Sequence, residues 1–157
     1  MIVEDAESPG HLWIAHEQPI GLHHEEVFAC FTTAGGLCRW LAVDAQIEAR
    51  AGGLIVLAWD RGWKSTTTIA ILDLDPGGRV TWDWQAASSD RHAPLYWEVV
   101  PSVEQGCVVR LRQGPFPAAD AEALRLMAEE TQYWTWHLCN LRGVLEAKHD
   151  MRAVRPL

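Results

Sequence analysis

A single long amphipathic stretch follows a run of short alternating segments, and that order limits the fold more than any other feature of the chain. Between about Ala119 and Lys148, the residues Leu124, Met127, Thr131, Trp134, Leu138, Leu141 and Leu145 recur at spacings of three and four. That period gathers side chains on one side of an α-helix. Roughly thirty residues at ~1.5 Å rise make a rod of ~45 Å, long enough to cross a small sheet from end to end. A stripe of this length has to be covered, and a rod with an uneven face laid on a curved sheet leaves a hollow between the two layers.

The segments before the helix supply that sheet. His11 to Gln18 alternates loosely and predicts a first strand, closed by Pro19. His23 to Thr33 reads as a helix with Val27, Phe28 and Phe31 on its apolar side, ended by Gly35-Gly36. A short second helical turn carries Leu37 and Trp40. The period then changes to two. Val43 to Arg50 places Val43, Ala45, Ile47 and Ala49 on one face, Gly52-Gly53 turns the chain, and Leu54 to Trp59 returns. Asp60 to Ser65 is a polar loop with Trp63 near its tip. Thr66 to Leu74 and Arg79 to Gln85 flank Asp75-Pro76-Gly77-Gly78, in which Pro presets φ and Gly permits positive φ. Leu95 to Val100 and Cys107 to Gln113 complete the strands, and Gly114 to Pro117 ends the sheet. Sequential hairpins predict an antiparallel sheet, so the class is α+β, with about seven strands gripping the terminal helix and two short helices after the first strand. The organisation expected is one domain over 11–150, with 1–10 frayed and 151–157 flexible or wrapped on the surface.

The net charge of −8 argues against nucleic acid, where Lys and Arg must neutralise phosphates. The same balance opposes insertion at an anionic membrane, and no apolar run approaches the ~20 residues of a bilayer span. Cys30, Cys38, Cys107 and Cys139 lack CxxC spacing and read as free thiols, which fits a cytoplasmic location. His23 and His24 diverge by about 100° on a helix and no HExxH spacing occurs, so neither a metal nor another cofactor is expected. Tryptophan is the outlier: nine in one chain, each large and each needing a partner for its indole N–H.

The order and punctuation of these segments resemble the START-like, helix-grip superfamily, and more closely the family of activator of heat-shock-protein-90 ATPase homologues. The likeness rests on Pro19, Val27-Phe28, Thr32-Thr33, Leu37 with Trp40, and the hairpin Glu48-Ala49-Arg50-Ala51-Gly52-Gly53. Leu74-Asp75-Pro76, Val80-Thr81-Trp82, and the helical set Trp134, Leu138, Leu141 and Leu145 continue it over about residues 12–148. Two departures stand out. Thr66-Thr67-Thr68 occupies a place where the family often carries Gly, and Gly143 interrupts the last helix, at a cost of ~1 kcal/mol relative to Ala.

The resemblance implies a cavity between the concave sheet face and the terminal helix. Alternation groups Trp82 and Trp84 with Val80, and Trp97 with Leu95 and Val99. Ile55, Leu57 and Trp59 form a further set. If these point inward they meet Met127, Thr131, Trp134 and Leu138, while Trp63 caps the mouth or folds back on its loop. The ligand-binding candidates are therefore Trp59, Trp63, Trp82, Trp84, Trp97, Met127, Thr131, Trp134 and Leu138, and the aromatics either line the cavity or fill it. No catalytic pair stands out: Asp83 and Glu98 should face solvent, and His137 falls on the helix flank. The leading expectation is a protein that binds a small hydrophobic, aromatic or lipidic molecule without chemistry of its own. Its alternatives are a polyketide cyclase-like enzyme using the same cavity and a co-chaperone-like module of the stress response, with a chaperone or a second copy of the chain as partner.

Overall fold

The computed structural model describes residues 1–86, 89–104 and 106–153. The alternating segments form one eight-stranded sheet in the order β1-β2-β8-β7-β6-β5-β4-β3, antiparallel at every pairing. Its strands are β1 (Ile2–Glu4), β2 (His11–Ile20), β3 (Asp44–Ile47), β4 (Leu54–Ala58), β5 (Thr66–Asp75), β6 (Arg79–Asp83), β7 (Leu95–Ser102) and β8 (Gly106–Pro117). Helices α1 (His24–Thr32) and α2 (Ala34–Trp40) follow β2, and α3 (Ala121–Ala147) follows β8. This is the helix-grip arrangement expected from the order of the segments.

The eighth strand comes from residues read as frayed. Ile2–Glu4 pairs with Leu12–Ile14. The Asp5 carboxylate secures this hairpin by accepting the Trp13 indole N–H at 3.0 Å and the Glu7 backbone N–H at 2.9 Å. An acidic, broken composition concealed a turn whose acid serves as a cap. In the opposite direction, the strand expected from Val43 to Arg50 shrinks to Asp44–Ile47, and Val43 is exposed.

Helix α3 begins at Asp120, whose Oδ1 accepts from the N–H groups of Glu122 and Ala123, and ends at Lys148 in the left-handed conformation. Its 27 residues give about 40 Å of rod. The buried stripe differs from the expected one at Leu124, which is exposed, and at Thr131, which is half-buried, and it contains three polar residues: Glu130, His137 and Asn140. Gly143 does not break the helix. A Cβ there would meet the His149 carbonyl oxygen at 3.0 Å, so the close approach is to the returning tail rather than to a strand.

Trp82, Trp97 and Trp134 pack with Phe31 and Trp40 into one aromatic cluster. Ring centroids lie 4.8 Å apart for Phe31–Trp97, 5.3 Å for Trp97–Trp134 and 5.5 Å for Trp82–Trp97. A smaller cluster under the start of α3 holds Ile14, Phe116, Leu126 and Met127.

The described part of the tail, residues 150–153, returns onto α2, and its attachment is specific. Buried Asn140 donates to the Trp40 carbonyl at 3.0 Å and accepts the Met151 N–H at 2.7 Å, joining α2, α3 and a short 3-10 turn, Met151–Ala153. Arg152 donates to the carbonyls of Cys38, Arg39 and Ala42 at 2.8–3.0 Å, closing the end of α2 where carbonyls lack helical partners. Residues 154–157 of the expected tail lie outside the described residues. Asn140→Ala removes the side chain that joins the Trp40 carbonyl to the Met151 N–H, leaves that N–H without its acceptor, and is expected to cost about 2 kcal/mol, read from the urea midpoint. Arg152→Ala, less buried, should lower that midpoint less.

Candidate functional site

Helix α3 packs chiefly over β2 and β8, so the β4–β5 side of the concave face needs another roof. The end of α2 and the tail provide it, and beneath them lies a cavity of ≈ 710 Å³. Cys38, Leu41, Ala42 and Val43 form one wall, and Asp150, Arg152 and Ala153 continue it. Trp59, Thr67, Trp84 and Gln85 rise from the sheet, and Glu130 and Tyr133 descend from α3. Trp59 is fixed by its indole N–H, donated to Thr67 Oγ1 at 2.9 Å. The Trp84 ring lies 5.9 Å from that of Tyr133 and 5.0 Å from that of Trp134, bridging wall and core.

The sequence-derived site residues divide accordingly. Trp59 and Trp84 line the cavity. Trp82, Trp97, Trp134 and Leu138 point inward but belong to the solid aromatic core, at 3% exposure or less, and do not reach the cavity. Met127 sits in the second core cluster, and Thr131 turns its hydroxyl back to the Met127 carbonyl at 2.7 Å. Trp63 folds back: its indole N–H donates to Asp44 Oδ2 at 3.0 Å, and it lies outside the cavity wall. Alternation identified the inward face correctly, but it carries no information on how far along the sheet the packed layer ends.

Glu130 was missed, and it is the most unusual residue of the wall. It is 6% exposed and accepts from Gln113 Nε2 at 2.9 Å and Trp134 Nε1 at 3.1 Å, both on Oε2. Burial pushes its carboxyl above the ordinary range, and the hydrogen bonds from Gln113, Trp134 and Trp84 only partly offset this. Its signal in the sequence was an acid four residues before a Trp on the apolar stripe. The Tyr133 phenol is raised by burial and by the neighbouring Glu130. Cys38 is likewise raised, first by burial and then by Asp44, and stays a thiol at neutral pH. Among the described residues no group of three His, Cys, Asp or Glu converges as a metal site, and no helix is long and apolar enough to cross a membrane.

A family model for activator of Hsp90 ATPase homolog 1-like proteins matches residues 22–146. The chain belongs to this family. Three solved structures illustrate the shared fold. Protein SSP2350 of Staphylococcus saprophyticus is 18% identical, over 89% of this chain and 96% of its own, with a TM-score of 0.74. The Aha1 dimer of Colwellia psychrerythraea is 20% identical, over 85% and 96%, with a TM-score of 0.68. DynU16, from the dynemicin biosynthetic locus, is 15% identical, over 85% of this chain and 47% of its own, with a TM-score of 0.66. No curated protein matches the chain in sequence.

Behind the cavity wall of this family member stands His137, which is 1% exposed rather than on the helix flank. It packs on Tyr133 at 4.3 Å between ring centroids and hydrogen-bonds the Trp40 backbone, while its Nδ1 has no hydrogen-bond partner among the described residues. Burial, with Arg152 nearby, lowers its pKa to about 4 from 6.5. The unfolded chain therefore takes up this proton at higher pH than the folded one. The stabilising contribution is complete above the unfolded value and is lost as pH falls through the folded one, amounting to about 3 kcal/mol. His137→Leu is expected to flatten that part of the stability profile between pH 6.5 and 4, as followed by urea unfolding at successive pH values.

Proposed function

We propose that the chain holds a small hydrophobic or aromatic molecule in the cavity beneath α2 and the tail. The observation that carries this reading is the cavity itself: ≈ 710 Å³, walled by Trp59, Trp84, Tyr133 and Leu41, with Thr67, Gln85, Glu130, Asp150 and Arg152 as its polar members. Sites for small molecules are typically ~300–1,000 Å³, mostly apolar, with a few placed polar contacts. Indole rings give such a site rigid, flat, polarizable walls.

A second reading, an enzyme using the same cavity, is supported by the buried carboxyl of Glu130 on its wall. An acid whose pKa is raised by burial is suited to proton transfer near neutral pH. Transformation of a bound molecule, seen as a product mass in the organic extract, would favour this reading; recovery of the molecule unchanged favours binding alone. The dimeric form of the Colwellia protein supports a homodimer here, and the four free cysteines support a cytoplasmic location.

Native mass spectrometry against the denatured mass is expected to show an extractable ligand, or an empty site that an apolar dye fills at one per chain with quenching of tryptophan fluorescence. Trp59→Ala should weaken dye binding at least tenfold while the fold survives, and Trp84→Ala, at a buried ring packed on Trp134, should weaken binding and also lower stability. Trp134→Ala should instead destabilise the chain by about 3–5 kcal/mol, because it empties the core. Dye binding unchanged in both wall variants would remove this cavity as the site.

A further inference from the structure

Resting on the cavity as a ligand site, we propose that its occupant is an uncharged, flat molecule whose carbonyl-type oxygen accepts a proton held on Oε1 of Glu130. The two well-formed hydrogen bonds that reach this carboxyl, from Gln113 and Trp134, both end on Oε2, and the Trp84 side chain adds a weaker one. That oxygen's lone pairs are therefore engaged by the N–H groups of Gln113 and Trp134. A proton on the acid goes to the other oxygen, and a protonated carboxyl has one O–H to donate.

The surroundings favour the neutral acid. Glu130 is buried, and among the described residues no cationic side chain forms an ion pair with it. Arg152, across the cavity, is committed to Asp150 and to the carbonyls that end α2. Arg91 and His92, beside the ≈ 110 Å³ hollow that Glu130 also borders, are paired with Asp120 and Asp83. Glu129 on the same helix adds repulsion toward a charged Glu130, and burial already drives its carboxyl toward protonation. A ligand that displaces water from the cavity deepens that burial and holds the proton more firmly. Trp59 and Trp84, both on the sheet side of the cavity, supply faces for a flat body.

Three tricyclic probes of similar outline separate the chemistries: anthraquinone carries acceptor oxygens, anthracene none, and N-methylacridinium a positive charge. Each is titrated into the full-length chain and followed by quenching of tryptophan fluorescence. The proposal expects anthraquinone to bind about tenfold more tightly than anthracene, the scale of one added hydrogen bond. Glu130→Ala should erase that preference. Glu130→Gln should keep most of it, because its amide oxygen serves Gln113 and Trp134 while its N–H2 replaces the O–H. Circular dichroism of both variants reports whether they fold, and Glu130→Gln carries the test if Glu130→Ala does not. Equal affinities for anthraquinone and anthracene would overturn the proposal and leave an apolar site standing. Tightest binding of N-methylacridinium, lost in Glu130→Gln, would overturn it in favour of an ionised carboxylate facing a cation. Failure of all three probes would remove the ligand site itself.

Discussion

Burying an indole obliges a fold to find an acceptor for its N–H or to bear the cost of an unpaired donor, about 1–3 kcal/mol each. This chain buries several and solves the problem unevenly. Trp40 donates to the Cys30 carbonyl at 3.0 Å, tying α2 to the body of α1. Trp134 lies inside α3 and uses the carboxyl one turn before it. Among the described residues Trp82 and Trp97 go without a partner, and Trp84 reaches the Glu130 carboxyl only weakly. Their rings are packed edge to face, and the area they remove from water outweighs the lost hydrogen bonds. The consequence of the Trp134 solution is structural: a carboxyl must sit at the inner face of α3, and Gln113 on β8 turns its amide to meet it. The link from Gln113 through Glu130 to Trp134 fixes α3 to the sheet at the point where the packed core gives way to the cavity.

That boundary follows from how far α3 extends across the sheet. Over β8 and β7 the helices bring Phe31, Trp40 and Trp134 down onto Trp82 and Trp97, and the layer between them is solid. Toward β4 and β5 the roof is the end of α2, rooted in the core by Leu37 and Trp40, and the tail, fastened to it by hydrogen bonds from Asn140 and Arg152. A roof fastened at its rim does not need to fill the space beneath it. The expectation that the aromatics either line a cavity or fill it therefore resolves by position: the cluster around Trp97 fills, and Trp59 and Trp84 line.

The strands, their order and the gripping helix were legible because period two and period three-to-four each leave a direct mark in the pattern of apolar residues. Trp59 and Trp84 were legible for the same reason. The polar members of the α3 stripe were not. Glu130, His137 and Asn140 interrupt an apolar pattern and read as its imperfections, whereas each is buried for a separate reason: an acceptor for an indole, a packing ring and a clamp on the tail. Trp63 shows the converse. A Trp in a polar loop invited a role at the cavity mouth, but its partner, Asp44, lies nineteen residues away, a contact set by tertiary folding. The wall built from Asp150 and Arg152 was hidden similarly, since a charged tail gives no sign of which carbonyls it will close.

Membership of the family accounts for the scaffold and leaves the chemistry to particular side chains. In this chain the decisive one serves two masters. Glu130 is needed by Trp134 whether or not the cavity is occupied, so it cannot withdraw to solvent when the cavity is empty. An empty site thus holds a buried acid whose charged form is disfavoured by its surroundings and whose neutral form lacks an acceptor on Oε1. An occupant that supplies one relieves both difficulties, and the relief is felt by the core as well as by the ligand, because the same carboxyl anchors α3 to β8. Binding and stability are then coupled through one residue, in proportion to ligand concentration over its dissociation constant. On this proposal the coupling needs no movement of the sheet or of α3, only an acceptor oxygen within reach of the Glu130 carboxyl.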